Sequence, residues 1–98
     1  MAMETVTQAR ALTDRSIANL SGSSETLMAA NPRRRILIIY NIGATAVGVN
    51  LTGGTASLTA GGSINLAAGA SLIIDRHCPA SAITIIGTAN ADVTAYEG

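Results

Sequence analysis

The densest group of chemically capable side chains in this sequence is Arg33-Arg34-Arg35, set between Asn31-Pro32 and the apolar run Ile36–Tyr40. Guanidinium groups are planar forks of donors that grip carboxylates or phosphates. Alternation along an extended chain sends Arg34 to the face opposite Arg33 and Arg35, so the triplet closes poorly as a three-pronged anion clamp. The plainer reading is a solvated turn ahead of a strand. The functional reading makes Arg33, Arg34 and Arg35 donors to acidic groups on a partner protein.

His77 and Cys78 stand side by side next to Asp75 and Arg76, which raises a thiolate with a histidine base, or half a metal site. Neighbours on an extended chain point apart, and the sequence holds one His and one Cys in all, too few for a zinc shell. A corner with one small buried thiol is the simpler account. Glu4, Asp14, Glu25, Asp75, Asp92 and Glu97 are too dispersed to nominate an acid–base pair. Gly53-Gly54-Thr55 and Gly61-Gly62-Ser63 have the look of phosphate loops, but neither opens a helix and the chain has no lysine. They read as turns. No Gly-x-Ser-x-Gly elbow is present. The expectation is a protein that is not an enzyme and that has no catalytic residues, cofactor or metal.

Six Arg balance six acidic residues, and the two aromatic residues are both Tyr. No net field draws nucleic acid or an anionic membrane, and stacking platforms for single strands are missing. No apolar run is long enough to span a bilayer, and the start of the chain lacks the apolar core of a signal peptide. Synthesis in a cytoplasm, with no export, is the expectation. Charged residues make up 12% of the chain and apolar ones 48%, a surface poorly protected against association.

At 98 residues the chain makes one small domain with a modest core. Residues 1–14 read as an N-terminal arm, in which Val6, Ala9 and Leu12 would line a short helix if one forms; the arm would lie on its own domain or on a neighbour. Residues 15–98 read as short strands broken by small-residue turns about every ten residues, the rhythm of a β-sandwich or jelly roll. The strands are expected at Arg15–Leu20, Glu25–Ala29, Arg34–Asn41, Thr45–Leu51, Ser63–Leu66, Ser71–Asp75, Ala82–Ile86 and Asp92–Tyr96, with a weak one around Ala56–Leu58. The fold class is therefore all-β, with seven to nine short antiparallel strands.

Three of these strands are apolar on both sides. In Ile36–Tyr40, Ile36, Ile38 and Tyr40 take one face while Leu37 and Ile39 take the other; Ile73 and Ile86 are likewise the odd ones out in their runs. A half-solvated sheet would alternate apolar with polar. Burying one such side chain is worth about 1.5–3 kcal/mol, so each second face needs a cover, either loops of the chain or a partner subunit. The partner reading makes Ile73 and Ile86 contact residues alongside the arginines.

An asparagine-proline-arginine turn (Asn31-Pro32-Arg33) enters an apolar strand ending in Asn (Ile36–Asn41). A Gly-rich hairpin follows, then Ala68-Gly69-Ala70-Ser71, and the chain closes on Ile86-Gly87-Thr88-Ala89 and Val93-Thr94-Ala95-Tyr96-Glu97-Gly98. Over about Ser16–Gly98 this layout resembles small virion proteins of tailed bacteriophages. The resemblance implies a non-enzymatic structural protein, foremost a capsid decoration or cement protein on the exterior of the virion. Its partner would be the major capsid protein, bound as a homo-oligomer or in many copies. Neck, tail or head-fibre anchoring is the alternative, and a carbohydrate-binding host-attachment module a further one. Three arginines stand where such proteins have one or two.

Overall fold

The computed structural model describes residues 11–98. Eight strands follow in order: β1 (Thr13–Asp14), β2 (Glu25–Met28), β3 (Leu37–Tyr40), β4 (Val47–Asn50), β5 (Ser63–Leu66), β6 (Ser71–Ile74), β7 (Ile83–Ile86) and β8 (Thr94–Glu97). They form two four-stranded sheets, β1-β8-β3-β6 and β2-β7-β4-β5, and every pairing is antiparallel. First pairs with last, second with seventh, third with sixth and fourth with fifth. The chain is thus one long hairpin, rolled so that successive mates fall in alternate sheets, which is the connectivity of a jelly roll.

Strand parity decides what lies between the sheets. Leu37 and Ile39 from β3, Val47 and Val49 from β4, and Ile83 and Ile85 from β7 are fully buried. These β-branched and aliphatic residues occupy alternate positions, so each four-residue strand sends two of them inward. Leu20, Met28, Leu66 and Val93 close the ends of the same core.

Local chemistry sets the strand limits. Asn31 and Pro32 open a turn in which the Arg34 amide donates to the Asn31 carbonyl (3.1 Å) and the Arg33 amide donates to Asn31 Oδ1 (3.0 Å). Asn at the first and Pro at the second position favour this geometry. Buried Asn41 ends β3: its Nδ2 donates to the Thr45 and Leu66 carbonyls, while its Oδ1 accepts the Gly43 amide. After β6 the chain turns at His77, whose φ of 51° lies in the left-handed region.

The all-β expectation and the strand number agree with this architecture, and two segments differ. Arg15–Leu20 forms no regular strand; besides one isolated bridge, Ile17 to Val93, the Arg15 amide, bonded to the Ala95 carbonyl, and Leu20, bonded to Ala91 and Asn90, tie its backbone to the chain near β8. Past Ile17 the pairing ends where Asn19 adopts φ 65°, which turns the chain away from the ladder. Ala56–Leu58 is likewise loop, part of the long connection from β4 to β5. Of the expected arm, Thr13–Asp14 forms β1 on β8. Leu12 is exposed and outside any helix; Val6, Ala9 and the rest of residues 1–10 fall outside the described residues.

Candidate docking face

Two sheets have two outer faces, and the chain treats them differently. Over β2-β7-β4-β5 runs the β4–β5 connection. A side chain at Gly48 would collide with the Ser57 carbonyl and approach Ile86 Cγ2, so the loop crosses directly above β4 beside Ile86. Only a glycine permits that approach. Asn50 holds the loop down: its Oδ1 accepts the amides of Thr52 (2.8 Å) and Gly54 (3.2 Å). Buried Ala56 completes the cover. Ile86 is accordingly half-buried by its own chain, and its proposed place in a partner interface loses its motive. An apolar residue on that face already has a cover.

The outer face of β1-β8-β3-β6 has none among the described residues. Pairing lines up Asp14, Tyr96, Ile38 and Ile73 across all four strands, with Thr94, Tyr40 and Ser71 in the next outward row. Ile73 is 59% and Tyr40 44% exposed, and Ile38 and Tyr96 are half-buried. At the end where β3 begins, Leu12 and Ile36 approach each other over Gly98, close to where a side chain there would stand. The result is a continuous apolar strip across the sheet, edged by Asp14 and Ser71.

The arginine triplet splits into two roles. Arg34 turns inward, and its side chain has no solvent exposure. Its Nε donates to Glu97 Oε1 (2.8 Å), Nη1 to the Pro79 and Ser81 carbonyls, and Nη2 to the Ala29 carbonyl (2.7 Å). Glu97 also accepts Arg15 Nε on Oε2 (2.7 Å) and Asn31 Nδ2 on Oε1 (3.3 Å). Burial alone would raise the Glu97 carboxyl; the hydrogen bonds from Arg34, Arg15 and Asn31, with the Arg34 charge, outweigh it and hold the group below its ordinary value. The expectation that Arg34 contacts a partner is therefore corrected, since its donors are spent on the end of β8, the β6–β7 connection and the residue after β2. Arg33 and Arg35 are exposed, on the rim of a shallow depression formed by residues 32–35.

Glu97 was not singled out from the sequence, although a signal was present. Val93, Ala95 and Glu97 share the inward parity of β8, and an inward carboxylate at a strand end demands a cation.

The remaining candidates do not converge. His77 is exposed, while Cys78 packs against the core. Burial pushes the Cys78 thiol up, against the pull of the Arg34 charge, which opposes a reactive thiolate. Among the described residues no three of His, Cys, Asp and Glu are grouped to hold a metal. At the opposite end of the sandwich a shallow depression lies between the β3–β4 and β7–β8 loops, lined by Ile42, Thr45, Thr88 and Asp92 among others. Among the described residues no helix is long and apolar enough to cross a membrane.

No protein-family model matches the chain, and no curated protein matches its sequence. Among solved structures, the chain resembles the stem and receptor-binding domain of the spike protein P1 of bacteriophage PM2, with a TM-score of 0.59 and 13% identity over 91% of this chain. It spans 33% of that spike chain. At such identity the likeness speaks to fold alone, and it agrees with the all-β sandwich. A more distant similarity is to Bacillus endospore appendages, a family of disulfide-linked pili (TM-score 0.48, 18% identity, 98% of this chain and 92% of that one); it carries no weight here.

Proposed function

We propose that this chain is a non-enzymatic structural protein of a bacteriophage particle, docking through the outer face of β1-β8-β3-β6. The observation that carries this reading is the uncovered strip Tyr96–Ile38–Ile73 with Tyr40 beside it, on a fold that spends a whole loop to cover the equivalent face of its other sheet. A protein that evolved to stay free would interrupt such a strip with charge. The likeness in fold to a phage spike domain and the sequence resemblance to small virion proteins support the same class.

Within that class, the role is decoration of the capsid exterior. The strip supplies burial of aliphatic surface against the major capsid protein, and exposed Arg33 and Arg35 reach acidic groups beside it. Many copies on one shell add modest contacts together. Binding the closed lattice in preference to free subunits stabilises the shell by mass action. Neither nucleic acid nor membrane enters this scheme.

The test is co-sedimentation of the purified chain with shells that lack it, using Tyr40→Asp as the comparison. Saturable binding of the unaltered chain, reduced tenfold or more by Tyr40→Asp, is expected. Equal binding of both would remove the face from the mechanism, and no binding of either to heads would overturn the decoration role. A second reading, a host-attachment module, has the exposed Tyr40 ring in its favour. Binding to cell-surface glycans rather than to shells would select it.

A further inference from the structure

The sheet that carries the strip also ends, among the described residues, in an unguarded edge. In β3 the amides and carbonyls of alternate residues point to opposite neighbours. The Ile36 amide donates to the Gly98 carbonyl and the Gly98 amide to the Ile36 carbonyl, so even-numbered residues of β3 bond to β8. The Asn41 amide donates to the Ala70 carbonyl, so odd-numbered residues bond to β6. With Asn41 facing Ala70 and Leu37 facing Ile74, Leu72 and Ile74 use their backbone groups on β3. Ser71, Ile73 and Asp75 then direct theirs outward, past the last strand of the sheet.

Natural edges are usually blunted by a proline, a bulge, a charge within the strand or very short length. Two of the other edges use such devices, and the third, β5, is as regular as β6 but polar on its outer face. β1 is two residues long, and β2 breaks register between Thr26 and Met28. The β5 edge shows polar Ser63 and Asn65 on its outer face. β6, Ser-Leu-Ile-Ile, is regular over all four residues and holds no proline, charge or bulge.

We propose that β6 pairs with β6 of a second copy of this chain about a twofold axis through Ile73, joining two β1-β8-β3-β6 sheets into one of eight strands. The register follows from two requirements. Opposed residues must lie on the same face, and the groups that meet must be the outward ones. Ile73 opposite Ile73 of the second copy satisfies both, because it forms a pair exchanging two backbone hydrogen bonds. Leu72 then faces Ile74 across the core side, apolar against apolar. Ser71 faces Asp75, a hydroxyl donor against a carboxylate that has no hydrogen-bond or ion-pair partner among the described residues. The two Asp75 groups lie at opposite ends of the junction, roughly 13 Å apart at the rise of a strand, so no like charges meet. An isologous pairing of this kind closes at two copies.

Area argues in the same direction. Three strands of four residues and one of two give a face of about 220 Å² in projection, well below the roughly 800 Å² per partner of a standard interface. Pairing through β6 doubles the strip without covering it. The inference rests on the edge and not on the virion reading, and it stands or falls separately from it.

Sedimentation equilibrium of the full chain over micromolar to millimolar concentration, with amide exchange followed at both limits, tests the pairing. A reversible monomer–dimer equilibrium is expected, with slowing of tenfold or more at the Ser71, Ile73 and Asp75 amides at high concentration. Ile73→Pro removes an amide that β3 does not use, on an edge where proline is tolerated. It should leave the thermal midpoint within a few degrees and hold the chain monomeric. Ile73→Lys, which sets two charges together on the axis, should do the same. A chain that stays monomeric with those amides exchanging freely, open-ended polymers in place of dimers, or dimers that survive both substitutions would each overturn the proposal.

Discussion

Arg34 Nε donates to Glu97 Oε1 across 2.8 Å where neither side chain exceeds 4% exposure. The two residues are 63 positions apart, and the pair draws the start of β3 onto the end of β8. Removing Glu97 leaves Arg34 buried without a counter-charge, and removing Arg34 leaves Glu97 only the half-exposed Arg15; breaking such a buried pair costs about 3–5 kcal/mol. Glu97→Ala and Arg34→Ala should each lower stability by that order in urea unfolding at neutral pH. The pair Arg34→Met with Glu97→Leu should recover much of the loss, because no orphan charge remains. A single-mutant loss under about 1 kcal/mol would show that the pair is not a structural tie.

The same carboxylate makes the fold acid-sensitive. Its hydrogen bonds hold the Glu97 carboxyl below its ordinary value, so the unfolded chain binds this proton more readily than the folded one. The stabilisation is present in full above the unfolded value of about 4.3 and is lost as pH falls through the folded value. Thermal midpoints of the native chain should therefore drop on acidification below about pH 4, and Glu97→Gln should flatten that slope while lowering the midpoint at pH 7. An unchanged slope in the Gln variant would assign the acid response to other groups.

Much of the fold could be read from alternation alone. Leu37, Ile39, Ile83 and Ile85 are inward where period two puts them, and seven of the expected strands meet observed ones because turn residues bracket each. What alternation cannot carry is how sheet faces are covered. The face holding Ile86 is closed by a loop whose close approach depends on Gly48, a residue with no pattern to flag it. Arg34 likewise enters the interior through a proline turn that breaks the strand's parity. The exposed strip, by contrast, was legible: apolar residues on both sides of β3 and β6 announced it, and the structure leaves Tyr40 and Ile73 in the open.

Gly48 offers a direct check on the covering loop. A methyl group there meets the Ser57 carbonyl, a backbone atom that cannot swing aside as a side chain does. Gly48→Ala should cost about 1–3 kcal/mol and speed amide exchange at Ala56 and Ser57, whose amides donate to Ser24 Oγ and Ser63 Oγ. Gly61→Ala, with nothing within 4 Å of the added carbon, is the control and should change stability little. Equal behaviour of the two variants would mean that the loop does not lie tightly on β4.

One triplet with two roles gives the last expectation. Arg33 and Arg35 are exposed and Arg34 is not, so Arg33→Ala with Arg35→Ala should leave stability within about 0.5 kcal/mol. Their loss should show in binding. At low salt the native chain should hold shells several-fold more tightly than the double variant. The gap should close as ionic strength rises, because exposed charge pairs are screened beyond about 8 Å at physiological salt. Co-sedimentation across a salt series reads both effects at once. Matching curves for the two proteins would leave the apolar strip as the whole adhesive and remove the arginines from the interface.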